Sequence, residues 1–199
     1  SDRTVLNATK SENVVFTNRK YVFSPLGLNN TLIPFAGSAK YLGLTLDSKL
    51  KYREHILNKR KQIEIKVRQM LWLFGRRSKL KFFNKILLYK TMIRPIWSYA
   101  CQIWACAAKS NIKQIEIIQN LTLRKIANAP WYIRNDDILL ELNIEPIEVY
   151  ISRMYNRYEE RLSSHPNPEA LELLDWVGEI RRLKRRKPHE LATPCFLKM

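Results

Sequence analysis

The 199-residue chain, of 23.6 kDa, has room for one large domain or two small ones, and its 46% hydrophobic content supplies a packed core, which excludes wholesale disorder. A formal net charge of +17 points to a polyanion partner, five glycines argue against a glycine-loop nucleotide site, and three irregularly spaced cysteines exclude a disulfide framework and fit a reducing compartment. No apolar run approaches the ~20 residues of a membrane span, and Ser1-Asp2-Arg3-Thr4 has neither an initiator Met nor an apolar export core, so the expectation is a piece of a longer, non-exported chain.

In chain order, residues 14–46 read as strands and turns. Val14-Val15-Phe16-Thr17 is β-branched and aromatic, Ser24-Pro25-Leu26-Gly27 and Asn29-Asn30 are turn chemistry, and Thr31-Leu32-Ile33 is a short second strand. Ala39 to Leu46 alternates, with Tyr41, Gly43 and Thr45 on one face and Leu42, Leu44 and Leu46 on the other, which predicts a half-buried strand. A glycine inside it marks a place where another backbone or a ligand comes close. After Asp47-Ser48 the period changes. Tyr52, Ile56, Ile63, Val67, Met70, Leu71 and Phe74 predict a helix of about 25 residues that ends at Gly75.

Ser78 is the predicted cap of a second helix, along which Phe83, Leu87, Met92, Trp97, Cys101 and Trp104 recur, with a kink at Pro95. Trp72, Trp97 and Trp104 fall on apolar stripes and are assigned to the core. A third helix starts near Asn111 with Ile112, Ile115, Ile118 and Leu121 aligned, and Ala129-Pro130-Trp131 stops it. Asn135 or Asp136 is expected to cap a short helix to Leu142, and Glu145-Pro146 opens another through Tyr150, Met154 and Tyr158 to about Leu162. Residues 164–168 read as a linker, Ala170 to Val177 as a last helical piece, and residues 179–199 as a basic tail without fixed structure.

The charge is segregated. Residues 49–94 hold 15 Lys and Arg against 2 Asp and Glu, residues 132–180 are acidic, and the tail is basic again. Such a concentration is the footprint of a nucleic-acid binder, and aromatics interleaved with it can stack on sugars or bases. Basic amphipathic helices also fit a peripheral membrane surface, a third class with less support. Catalytic constellations are weak. Asp136-Asp137 lacks the apolar hairpin that presents paired metal-binding carboxylates and reads as helix-end chemistry. Cys101 and Cys106 read as small core residues, and His55, His165 and His189 have no nucleophile partner at recognisable spacing.

Several strings carry a family resemblance. Tyr41-Leu42-Gly43-Leu44-Thr45-Leu46-Asp47 followed by a basic helix resembles the primer-grip element and thumb of reverse transcriptases from non-LTR retrotransposons. Trp72-Leu73-Phe74-Gly75-Arg76-Arg77-Ser78, residues 88–99, and Ile126-Ala127-Asn128-Ala129-Pro130-Trp131-Tyr132 resemble the Jockey type, over about Asn7 to Trp176.

The resemblance implies an α+β, mostly α chain: a small antiparallel β remnant of the palm with the primer-grip strand (1–47), a basic helical thumb (48–131), an acidic helical extension (132–178) and the tail (179–199). The remnant's edges are expected to be exposed and sticky. It implies an RNA template, an RNA–DNA or DNA duplex and the remainder of the polymerase polypeptide as partners, and a nuclear or cytoplasmic location. Lys10 matches a family lysine near the incoming nucleotide, where a general acid can meet the pyrophosphate. Tyr41, Leu42 and Gly43 would meet the primer terminus, and Lys59, Arg60, Arg68, Arg76 and Arg77 the duplex backbone. In the family the metal-binding aspartates precede this region, so Mg²⁺ is expected of the parent polymerase, none of this chain, and the chain alone is expected to be inactive. The alternative is a non-enzymatic basic helical RNA- or protein-binding module, such as a domesticated retroelement piece.

Overall fold

The computed structural model describes residues 11–17, 23–28, 31–172 and 188–192. The class is α+β, mostly α, as expected, and the chain divides into two units, residues 1–55 and 56–199.

In the first unit β1 (Gly27–Leu28) pairs with β2 (Thr31–Leu32), and β3 (Ser38–Tyr41) pairs antiparallel with β4 (Leu44–Asp47). The single strand expected from Ala39 to Leu46 is therefore a hairpin, with Tyr41 opposite Leu44 and Ala39 opposite Leu46. Leu42 and Gly43 form its two-residue turn with φ of 45° and 77°, the left-handed pair that a tight hairpin needs. Gly43 thus answers a turn requirement. The stretch Val14–Thr17 is not a strand. It is latched at its ends, by Asn13 N donating to the Pro34 carbonyl (3.1 Å), Ala36 N to that of Asn13 (2.9 Å), and Thr17 N to that of Ser48 (3.1 Å). Nor is the outer edge of β4 fully open, because Thr45 N–H donates to Nδ1 of the buried His55 at 3.2 Å. That bond leaves the ring proton on Nε2. The Asp47 carboxylate accepts from the backbone N–H groups of Lys51 (2.9 Å) and Tyr52 (2.8 Å), and so satisfies donors at the start of α1 (Arg53–Gln69).

In the second unit Ile56, Ile63, Val67 and Met70 bury one stripe of α1, as expected. The long helix breaks at Met70 (φ −100°, ψ 7°) and resumes as α2 (Leu71–Phe74). Gly75 ends it for a steric reason: a Cβ there would lie 2.8 Å from the Leu71 carbonyl oxygen. Ser78 is not a helix cap. Its hydroxyl accepts from Leu80 N (3.2 Å), and α3 (Phe82–Leu88) starts later. The kink at Pro95 takes the form of a π turn (Tyr89–Ile93) just before α4 (Arg94–Ser98), and left-handed Ala100 then leads into α5 (Cys101–Trp104).

The chain continues through α6 (Lys109–Ala127), α7 (Asn135–Glu141), α8 (Ile147–Ser163) and α9 (Pro168–Leu171). Asn167 caps α9 by accepting from Glu169 N at 3.0 Å; the remainder of the expected last helix, beyond residue 172, lies outside the described residues. A 3-10 turn (Pro188–Leu191) brings part of the tail onto α8, where Ser152 Oγ lies 2.6 Å from both the Leu191 and Ala192 carbonyl oxygens.

Trp97 and Trp104 are core, but Trp72 is 75% exposed. Ile86, Tyr89 and Ile93 are buried ahead of Trp97 at ordinary three- and four-residue steps, while Phe83, Leu87 and Met92, reached from Trp97 only through two five-residue steps, face outward. On α6 Thr122 and Leu123 are buried in place of Leu121, and on α8 Ile147, Ile151 and Tyr155 form the buried row in place of Tyr150, Met154 and Tyr158.

Candidate nucleic-acid interface

The hairpin tip projects Tyr41, Leu42 and Gly43 to solvent, with Leu42 70% exposed. Behind the tip, Leu44 and Thr45 are buried and Asp47 is latched to the start of α1, so the turn stands on a fixed base. Leu42 is a bulky residue held at φ 45°, where Asn, Asp or Gly meets less steric cost.

The basic residues of α1 divide into two groups. Lys59 and Arg60 are about 100° apart on the helix and flank its buried stripe from opposite sides. The ammonium of Lys59 is half-buried, 5.9 Å from the centre of the Tyr99 ring, and desolvation lowers its pKa. Arg60 donates to Glu64 at 3.0 Å and to the Gln114 side chain of α6, so it fastens α1 to its neighbour. Arg68 is exposed, and Lys61, two turns earlier, shares its side of the helix. Arg76 and Arg77 are exposed in the turn after α2. Lys61 and Arg68 thus share one helix face, Arg76 and Arg77 one turn, and Lys59 and Arg60 belong to neither group.

The sequence reading missed Lys85. It is buried, and its Nζ donates to the carbonyls of Gly75 (3.1 Å) and Phe74 (3.4 Å), which ties α3 to the end of α2. A basic residue meeting the last carbonyls of a preceding helix has a recognisable logic, but only once the two helices are known to meet.

Lys10 lies outside the described residues. Asp136 and Asp137 are exposed in the first turn of α7, where the helix dipole favours acids. Neither Asn135 nor Asp136 caps that helix: Arg134 occupies the cap position, with its guanidinium 3.7 Å from Asp136, and Asn135 accepts from Arg124 at 2.7 Å. Cys101 is buried, and burial pushes its thiol up to about 12. Among the described residues no group of three or more His, Cys, Asp or Glu could hold a metal ion. No helix among them is long and apolar enough to cross a membrane.

No family model and no solved structure matches the chain. Curated proteins do. The chain is 39% identical over 194 residues to the RNA-directed DNA polymerase from mobile element jockey of Drosophila melanogaster. It is 37% identical over 188 residues to the probable RNA-directed DNA polymerase from transposon X-element of the same species. It is 36% identical over 194 residues to the jockey polymerase of Drosophila funebris. Each match covers 94% of this chain and 21% of the relative, so the chain spans about a fifth of the length of the proteins it matches.

Proposed function

The chain belongs to the family of RNA-directed DNA polymerases from non-LTR mobile elements of the jockey kind, as a segment of about a fifth of their length, and on that premise we propose that it grips the primer–template duplex. One observation carries this reading: an apolar leucine stands exposed and in a left-handed conformation at the tip of a braced hairpin. Folding alone favours Asn or Gly at that position, and a strained residue kept on a surface points to use of that surface. The tip offers backbone, a leucine side chain and a tyrosine to the sugar and phosphate of a primer terminus. Arg68, Arg76 and Arg77, exposed on the second unit, neutralise phosphates without reading bases.

On this reading Lys10 is the group that would protonate or neutralise departing pyrophosphate. The 199-residue polypeptide by itself, having no described carboxylate cluster, should not extend a primer. The test of the grip is a binding titration with two RNA–DNA hybrids, one with a recessed primer 3′ end and one blunt. The chain should favour the recessed end, and Leu42→Asn should remove the preference. Equal affinity of the unaltered chain for both ends would overturn the primer-terminus assignment.

A further inference from the structure

We propose that the elbow between α2 and α3, which carries the duplex contacts Arg76 and Arg77, also binds unpaired nucleobases through its exposed rings. This rests on the grip reading only in taking the single strand to be the template where it enters or leaves the duplex.

Trp72, the second residue of α2, is 75% exposed, and Phe83, in the first turn of α3, is 74% exposed, with Phe82 exposed beside it. Aromatic rings in such positions forgo the burial that would otherwise stabilise the fold. The turn that joins the two helices carries Arg76, Arg77, Lys79 and Lys81, all exposed. No Asp or Glu occurs between Glu64 and Glu116. Rings interleaved with cations and free of carboxylates match a strand whose bases stack while its phosphates are neutralised. A protein-binding patch would be depleted of lysine at its core. A paired duplex offers no base faces, so the strand must be single.

The elbow is also braced before anything binds. Gly75 N donates to the Leu71 carbonyl (2.7 Å), Ser78 N to that of Gly75 (3.1 Å), and Leu80 N to the Ser78 hydroxyl (3.2 Å), while Lys85 holds the Phe74 and Gly75 carbonyls from beneath. Phe74 of α2 and Ile86 of α3 are buried, so the exposed rings belong to helices anchored in packed structure and stacking need not order the backbone.

The test uses the full 199-residue chain and three probes: a short single-stranded RNA, a blunt RNA–DNA hybrid of the same length, and phosphatidylserine vesicles. Trp72→Ala with Phe83→Ala should weaken single-strand binding about tenfold or more and leave blunt-hybrid affinity unchanged. Because stacking is not electrostatic, the salt slope of the residual single-strand binding should stay as in the unaltered chain. Lys79→Gln with Lys81→Gln should instead lower that slope by about 1.4, since each phosphate contact of a single strand contributes about 0.7. The single strand should quench tryptophan fluorescence in the unaltered chain, and Trp72→Phe should remove that quench, a readout that does not depend on the double variant. Equal single-strand affinity in parent and aromatic variant, equal losses on strand and hybrid, or a loss confined to vesicles would each overturn the proposal. A chain that binds the hybrid but no single strand refutes the elbow and leaves the grip. The reverse pattern refutes the grip and leaves the elbow.

Discussion

Leu42 and Tyr89 make opposite demands on the fold. Leu42 holds a positive φ that an L side chain resists, so Leu42→Asn should stabilise the hairpin by about 0.5–1 kcal/mol while it removes the recessed-end preference. Denaturant unfolding of the variant checks the first half, and a loss of stability would show that Leu42 serves packing. Tyr89 is fully buried, donates its hydroxyl to Gln119 at 2.7 Å, and lies under the Arg94 guanidinium, 5.6 Å from the ring centre. Burial pushes its phenol up to about 12, with Arg94 acting in the other direction. An unfolded tyrosine ionises near 10, so above about pH 10 the unfolded chain releases a proton that the folded chain retains. The stabilisation is complete below pH 10 and is lost as pH rises from about 10 to 12. Tyr89→Phe should flatten the fall in stability across that window, read by unfolding at successive pH values.

Helix ends are where the elements show their chemistry. The C-terminus of α6 closes with Asn128 in the left-handed conformation (φ 50°), Ala129 N donating to the Arg124 carbonyl (3.0 Å) and Asn128 N to that of Lys125 (3.3 Å). This is the Schellman arrangement with asparagine where glycine is commonest. Asn128→Gly should therefore raise the unfolding free energy by up to about 1 kcal/mol, and Asn128→Val should lower it by about 1–2 kcal/mol. Ends of this kind are legible from sequence, because Gly75, Ala129-Pro130 and Pro146 act within a turn of themselves. Helix faces are less legible. The stripe through Trp97, Met92, Leu87 and Phe83 takes two five-residue steps, which leave one helix face, whereas three- and four-residue steps back from Trp97 reach the buried Ile93, Tyr89 and Ile86. The hairpin was hidden because Leu42 is not a turn-former, and a leucine at every second position from 42 to 46 reads as one strand. The exposure of Trp72 and the use of Lys85 as a clamp depend on how α2 meets α3, which no local pattern encodes.

At the scale of the whole molecule the ruling feature is segregated charge, +17 in total, with a region from Glu64 to Glu116 free of carboxylates between them. Concentrated charge attracts a polyanion and makes its binding depend on salt, because each neutralised phosphate releases counterions. Position decides which cations contribute. Arg60 is committed to Glu64 and Gln114, so its loss should lower stability and leave the salt slope nearly intact. Arg68, Arg76 and Arg77 face solvent and should set the slope. The most direct measurement is the dependence of RNA–DNA hybrid affinity on salt concentration for the unaltered chain and for R68A/R76A/R77A. The account predicts that the logarithmic slope of the triple variant is shallower by about three, with a folded structure retained by circular dichroism. Identical slopes for the two proteins, or hybrid binding by the parent that does not depend on salt, would contradict it.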